Sequence, residues 1–220
     1  QESTPANYAF RASDERGKVT PMHDPYRFKP LLSDYDVHLL SEGTHWRSYD
    51  RLGAQLRTVD GVTGVNFSVW APNANSVSVV GNFNDWDPRR HVMRRLIPSG
   101  FYELFIPDIG AGEIYKFHIK NGWQSFEKSD PYGFYAEKPP KTASVVADLT
   151  AYEWGDHEWM ENRMKANPLE QPMSVYEVHL GSWKKDWQRE NGWLNYRELA
   201  HQLADYSDRM GYTHVELLPI

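Results

Sequence analysis

The spacing of apolar residues changes twice along the chain, and each change predicts a different architecture. Residues 1 to about 30 are polar and have no apolar period. Ser13-Asp14-Glu15-Arg16-Gly17-Lys18 reads as a loop or linker, and Pro21, Pro25 and Pro30 keep the next stretch extended. Apolar residues then thicken through Leu31, Leu32, Val37, Leu39 and Leu40. From Val65 the period is two: Val65, Phe67 and Val69 face one way, and Asn66, Ser68 and Trp70 the other. Val77 and Val79, then Tyr102, Leu104 and Ile106, then Tyr115, Phe117 and Ile119 repeat that alternation, and Val145 and Val146 mark a last short strand. Turn-rich segments separate them, notably Pro72 to Asn75, Gly81 to Pro88, Gly110 to Gly112 and Asn121-Gly122. Short strands at such close spacing predict an all-β sandwich across roughly 60–150.

After Pro168 the pattern becomes strand, helix, strand. Val175 to Leu180 reads as a strand. Tyr196, Leu199, Leu203, Tyr206 and Met210 recur at helical spacing, with Asn195 as N-cap, Glu198 at the capping-box position and Gly211 as the stop. Thr213 to Ile220 reads as a second strand, so a βα unit feeding a parallel sheet is expected. A doubly buried parallel sheet needs more than two strands, which predicts further sequence beyond Ile220. The chain also starts with Gln1 rather than Met, which leaves room for sequence upstream.

Composition narrows the function classes. The chain has 220 residues and a formal net charge of −6, and no basic run to suit nucleic acid. It lacks cysteine, which excludes disulfides and thiolate metal sites and fits a cytoplasmic protein. No apolar run approaches the ~20 residues of a membrane span, and Gln1 to Pro5 has no signal-peptide pattern. Nine Trp and thirteen Tyr suit β-rich cores, and equally suit the flat apolar faces of sugar rings.

Asp24 to Phe28, Leu31 to Gly43 and Tyr49 to Ala54 form contiguous blocks that resemble the leading segment of the family of bacterial glycogen (1,4-α-glucan) branching enzymes. Phe67-Ser68-Val69-Trp70-Ala71-Pro72-Asn73-Ala74 and Val79 to Trp86 resemble its β-sandwich glucan-binding module. Tyr102 to Pro107 and Tyr115 to Phe117 continue the likeness. Val175-Tyr176-Glu177-Val178-His179-Leu180-Gly181-Ser182-Trp183 and Leu217 to Ile220 are similar to its first two barrel strands. The resemblance implies an immunoglobulin-like sandwich followed by the start of a (β/α)8 barrel. It divides the chain into a linker or the end of a preceding module (1–30), the leading segment and glucan-binding module (31–150), a linker (151–172) and a partial catalytic barrel (173–220). It implies transfer of an α-1,4-linked chain to a 6-hydroxyl by a retaining mechanism. The catalytic carboxylates would lie downstream of Ile220, with no metal or organic cofactor required. The expected partner is α-glucan, meaning glycogen, amylose or malto-oligosaccharides, with no nucleic acid or membrane, and the expected state is a cytoplasmic monomer. Two other readings stay open: a non-catalytic glucan-binding module, and the front of a debranching hydrolase.

The same resemblance puts Trp86, Lys116 and Trp123 where related modules carry their sugar platform, against the alternative that the indoles only pack on neighbouring structure. Indoles stack on sugar faces and an ammonium donates to hydroxyls. A two-residue Asn121-Gly122 turn would pair Lys120 with Trp123 and bring Trp123 to the Lys116 face. Glu177 and His179 share a strand face but read as a satisfied polar layer, as does Glu216. His157, Glu158 and Glu161 have metal-like spacing yet read as a solvated surface. Asp85 and Asp87 read as turn formers.

Overall fold

Antiparallel strands are the main regular elements of the chain up to Tyr152. The computed structural model describes residues 8–13, 15 and 17–219. Its two compact units meet between Tyr152 and Glu153. In the first unit, β1 (Phe10–Ser13) and β2 (Val19–Met22) form an antiparallel hairpin, and α1 spans Asp34–Glu42. Two sheets follow. One has the order β3 (Gly53–Val59), β4 (Val62–Trp70), then β7 and β6; the other is built on β5 (Ser76–Gly81). Strand β6 is Arg94–Leu96, β7 is Phe101–Pro107 and β8 is Ile114–Asn121. Strand β8 pairs with β5 along one edge, and with both β9 (Gln124–Lys128) and β11 (Ser144–Val145) along the other. Strand β10 (Tyr135–Ala136) pairs with β11.

The alternation puts one face of each sheet into a shared core. Val65, Phe67, Val69, Tyr102, Leu104 and Ile106 from the first sheet meet Val77, Val79, Tyr115 and Phe117 from the second. Tyr115 donates its hydroxyl to Asp130 at 2.6 Å, so a tyrosine oxygen buried in the sandwich is satisfied. The second face of β4 and β7 is buried too. The segment carrying α1 packs over it, with Leu32 and Leu52 against Phe101 of β7, and Phe28 meets Phe105 edge to face at 4.7 Å. Under that cover lies Glu103, 2 % exposed. Its carboxylate accepts from the backbone N–H groups of Leu31 (2.9 Å) and Leu32 (3.0 Å), and from Asn66 Nδ2 at 2.8 Å. Burial raises its pKa, and the hydrogen bonds from Asn66, Leu32, Leu31 and Ser68 oppose that rise.

Helix α1 begins with a reciprocal cap. Ser33 Oγ accepts from Asp36 N, and Asp36 accepts from Ser33 N, both at 3.1 Å. Gly43 ends it in the left-handed region, φ 76°. Asp36 also binds His45 Nε2 and Arg51 Nε, each at 3.1 Å. Burial pushes the Asp36 carboxyl up, but the bonds from Ser33 and His45 and the Arg51 charge outweigh it and hold the group at about 2, below its ordinary 3.8. A depressed carboxyl stabilises the fold above its unfolded pKa and loses that contribution as pH falls through the folded value. Stability should therefore decline between about pH 4 and about pH 2 through this group. Asp36→Asn should be less stable at neutral pH and should lack that part of the acid decline. Urea midpoints of both proteins across that range measure it. Parallel curves would remove Asp36 from the account.

Three readings are corrected: the chain over residues 10–22, the length of the first strand in the second unit, and the turn between β8 and β9. Residues 10–22 were expected as loop and extended chain, yet they carry the β1–β2 hairpin. Phe10, Val19 and Met22 are all exposed, so burial imposes no apolar period there. Residues 1–7, Asp14 and Arg16 of that stretch lie outside the described residues. The third correction, at the β8–β9 turn, concerns the site and is given below.

In the second unit, α2 (His157–Lys165) precedes β12 (Val175–Val178), the short α3 (Leu180–Trp183), α4 (Tyr196–Met210) and β13 (His214–Leu217). Strands β12 and β13 pair in parallel, Val175 with His214 through Val178 with Leu217. Helix α4 has the expected caps: Asn195 Oδ1 accepts from Glu198 N at 3.0 Å, Glu198 accepts from Asn195 N at 2.9 Å, and Gly211 has φ 73°. Its Leu199 and Leu203 pack with Val178 and Leu180. The first strand is two residues shorter than expected because the chain turns into α3 at Leu180. Among the described residues, no helix is long and apolar enough to cross a membrane.

Candidate functional site

The loop after β5 departs from regular strand geometry. Gly81 leads into a 3-10 turn over Asn82–Asn84, and Asp85 and Trp86 then both take left-handed backbone conformations, φ 56° and 57°. Two adjacent non-glycine residues there cost energy that the surroundings must hold. Trp86 N donates to Gly81 O at 3.0 Å, Asp87 N donates to Asn84 O at 3.1 Å, and the indole Nε1 donates to Asn82 Oδ1 at 2.9 Å. Asp87 accepts from Arg89 N at 3.0 Å and pairs with its guanidinium at 2.7 Å, while Arg90 pairs with Asp85 at 2.8 Å. The Arg89 side chain holds the Asp87 carboxyl well below the usual carboxylate range. Asp85 and Asp87 are thus turn formers, as expected. Together these contacts fix a half-buried Trp86 indole.

Lys116 lies on β8 opposite Val80, one pair from Gly81–Tyr115. It is half-buried on the face of the second sheet turned away from the core, opposite in direction to Tyr115 and Phe117. The hydrogen bond from Trp86 to Gly81 ties the Trp86 backbone to this same end of the β5–β8 pair. Trp123 is elsewhere. Asn121 pairs with Gln124 and Lys120 with Ser125, so the turn residues are Gly122 and Trp123, not Asn121 and Gly122. Gly122 supplies the positive φ, 59°, and its N–H donates to Asn75 Oδ1 at 2.5 Å, which selects this register. Trp123 consequently occupies the hairpin tip, fully exposed, instead of facing alongside Lys116. The five residue steps from Lys116 to Asn121 put that tip about 17 Å further along the strand at ~3.4 Å per residue. The structure therefore groups the Trp86 and Lys116 backbones and sets Trp123 at the far end of the same strands. Sequence reading missed the asparagines that hold the two turns, Asn82 and Asn84 for the Trp86 loop and Asn75 for the Trp123 turn. Their only signal was membership of turn-rich runs.

The other candidates do not assemble into a centre. His179 lies past the end of β12 and bonds Ser182 Oγ at 3.1 Å, while Glu177 is exposed and in register with Glu216. His157 pairs with Glu161 one helical turn away at 3.1 Å. Among the described residues, no group of three or more His, Asp or Glu side chains is placed to hold a metal.

Residues 51–133, which contain Trp86, Lys116 and Trp123, match carbohydrate-binding module 48 (Isoamylase N-terminal domain). The chain is similar to a 1,4-alpha-glucan branching enzyme GlgB of Thermosynechococcus vestitus, 51% identical with 94% of this chain and 30% of the relative covered. A 1,4-alpha-glucan branching enzyme GlgB of Paramagnetospirillum magneticum is 52% identical over 97% of this chain and 29% of its own length. The chain thus spans about 30% of the length of the curated relatives it matches. Among solved structures, it is similar in fold to a type I pullulanase from Bacillus subtilis (TM-score 0.52, 24% identity, 77% of this chain and 24% of that one). It is also similar to PulA from Klebsiella pneumoniae (TM-score 0.55, 23% identity, 77% and 17%).

Proposed function

Because the chain is a homologue of 1,4-alpha-glucan branching enzymes over about 30% of their length and carries a carbohydrate-binding module 48, we propose that it is the glucan-holding front of such an enzyme. The observation that carries this is identity of 51% over 94% of the chain, a span that takes in both the sandwich and the strand–helix–strand unit. A binding module working alone has no use for the second unit. On this reading residues 31–150 are the leading segment and the module, and 173–220 begin a (β/α)8 barrel. The whole protein cuts an α-1,4 bond in glycogen or amylose, holds the donor chain on a carboxylate and passes it to a glucose 6-hydroxyl in the cytoplasm. Retention requires a nucleophile and an acid about 5 Å apart, on sequence outside these 220 residues. The residues here position polymer: Trp86 and Trp123 stack on sugar rings, and Lys116 donates to hydroxyls between them. Holding the chain beside the barrel raises its local concentration and favours transfer over hydrolysis.

The test uses the whole enzyme on amylose. Branch points should rise while reducing ends stay nearly constant. Trp86→Ala should weaken maltoheptaose binding by about 1 kcal/mol, the worth of one aromatic contact. Reducing ends rising without new branches would make the protein a hydrolase. Unchanged affinity would return Trp86 to a packing role.

A further inference from the structure

We infer that Asn84 and His91 are positioning residues for the Trp86 platform, with His91 acting as a proton-free acceptor that keeps the platform's loop closed. The inference rests on the glucan-binding reading only for its consequence, not for its geometry. Asn84 has no solvent exposure. Its Oδ1 accepts from Gly81 N at 2.9 Å, and its Nδ2 donates to Val79 O at 2.8 Å. Those two backbone partners have fixed roles, so the orientation of the amide is settled by chemistry. The third contact, Asn84 Nδ2 to His91 Nδ1 at 2.9 Å, is then also a donation from Asn84. His91 must accept at Nδ1, and its proton must sit on Nε2. A second proton on the ring would place N–H against N–H inside the loop.

This clip joins the two ends of the segment that carries Trp86. Val79 N donates to His91 O at 3.0 Å, and Ser78 bridges to Val92, so the chain leaves and returns at one place on β5. Asn84 stands inside that closed loop, two residues before Trp86. It anchors Gly81, the residue whose carbonyl receives the Trp86 amide. The left-handed pair Asp85–Trp86 has no glycine to relieve it, so its conformation depends on such anchors. The surroundings of His91 favour the neutral ring. Phe83 lies 5.7 Å from it, ring to ring, and Arg90 is its chain neighbour, paired outward to Asp85. The groove beside it, about 700 Å³, is also lined by His23 and Asp108, which bond each other at 2.9 Å. Burial first, and Arg90 second, lower the His91 pKa from its ordinary 6.5.

The tests are an indole NMR experiment and a maltoheptaose titration, from about pH 8 to about pH 5, a range that spans the ordinary histidine pKa. The Trp86 Nε1–H resonance, assigned by its loss in Trp86→Phe, should move in the parent as pH falls below the ordinary histidine value. In His91→Asn the side-chain oxygen can replace Nδ1 as an acceptor that does not titrate, so the resonance should stay still. Affinity should follow: a roughly three- to tenfold rise in Kd on the acid side for the parent, the effect of one lost buried hydrogen bond, and none for His91→Asn. His91→Leu should show the weakened affinity at every pH. A Trp86 resonance that titrates equally in the parent and in His91→Asn overturns the inference. A resonance that behaves as expected in a protein with no maltoheptaose affinity upholds the positioning role and overturns the glucan-binding reading instead.

Discussion

Replacing Glu103 by Ala should cost the sandwich about 3–5 kcal/mol, among the largest losses any single substitution here would produce. Every hydrogen-bonding partner of this carboxylate is a donor: Leu31 N, Leu32 N, Asn66 Nδ2 and Ser68 Oγ. The segment carrying α1 covers the sheet at this point, with Leu32, Asn66 and Ser68 all buried beneath or within it. Truncation leaves the donors buried and unpaired, at about 1–3 kcal/mol each before relaxation. Relaxation has one cheap route, which is for residues 28–52 to lift away and let water in. The expected result is therefore a fall of roughly 10 °C in the melting of the first unit. Faster amide exchange at Leu31 and Leu32 should accompany it. Glu103→Gln should fall between, since one oxygen still accepts while the new NH2 group opposes a donor. A melting temperature within a degree or so of the parent would mean that the pinning contributes nothing.

Gly81→Ala should damage stability and binding together. Gly81 is extended, φ −176°, so backbone conformation does not demand glycine there. Space does. An added Cβ would press into the Ile114 carbonyl oxygen and come within 2.6 Å of Phe83 Cε1. The first is backbone across the β5–β8 pair, and the second is a ring packed against the core. Overpacking of this kind costs about 1–3 kcal/mol. The nearest release is to push Gly81 off β8, and Gly81 carries both the Asn84 contact and the Trp86 contact. Maltoheptaose affinity should then drop about tenfold or more, well beyond the loss from a simple stability change in a protein still folded at the assay temperature. Gly110→Ala is the control. Nothing lies within 4 Å of its Cβ position, so its effect should stay within about 0.5 kcal/mol. Equal behaviour of the two variants would show that the loop adapts and that close packing at Gly81 does not matter.

Much of this protein was determined by its sequence. Alternation at Val65, Phe67, Val69, Val77, Val79, Tyr115 and Phe117 specified the strands and their inward faces, because a one-residue slip would turn every one of them out of the shared core. The caps of α4 were legible for the same local reason: Asn195, Glu198 and Gly211 act within a few residues of themselves. Similarity to glucan enzymes was legible in contiguous blocks such as Gly81 to Trp86. Other features were decided only by tertiary structure. The face of β4 that carries Asn66 and Ser68 shows no covering partner in the sequence, yet Asn66, Ser68 and Glu103 are buried under the segment carrying α1, whose Leu31 N–H reaches Glu103 from 72 residues away. No local pattern reports what covers a face. The β1–β2 hairpin was invisible because its apolar residues stay exposed and no period forms. Trp123 moved from strand to turn because Asn75, distant in sequence, bonds Gly122 and selects the register. The partners of Asn84 likewise come together only once β5 and its return segment pair. Hydrophobic periodicity carries information about neighbours a few residues away, whereas the fixing of the Trp86 loop and the Trp123 turn depends on donors and acceptors that meet only after the chain has folded.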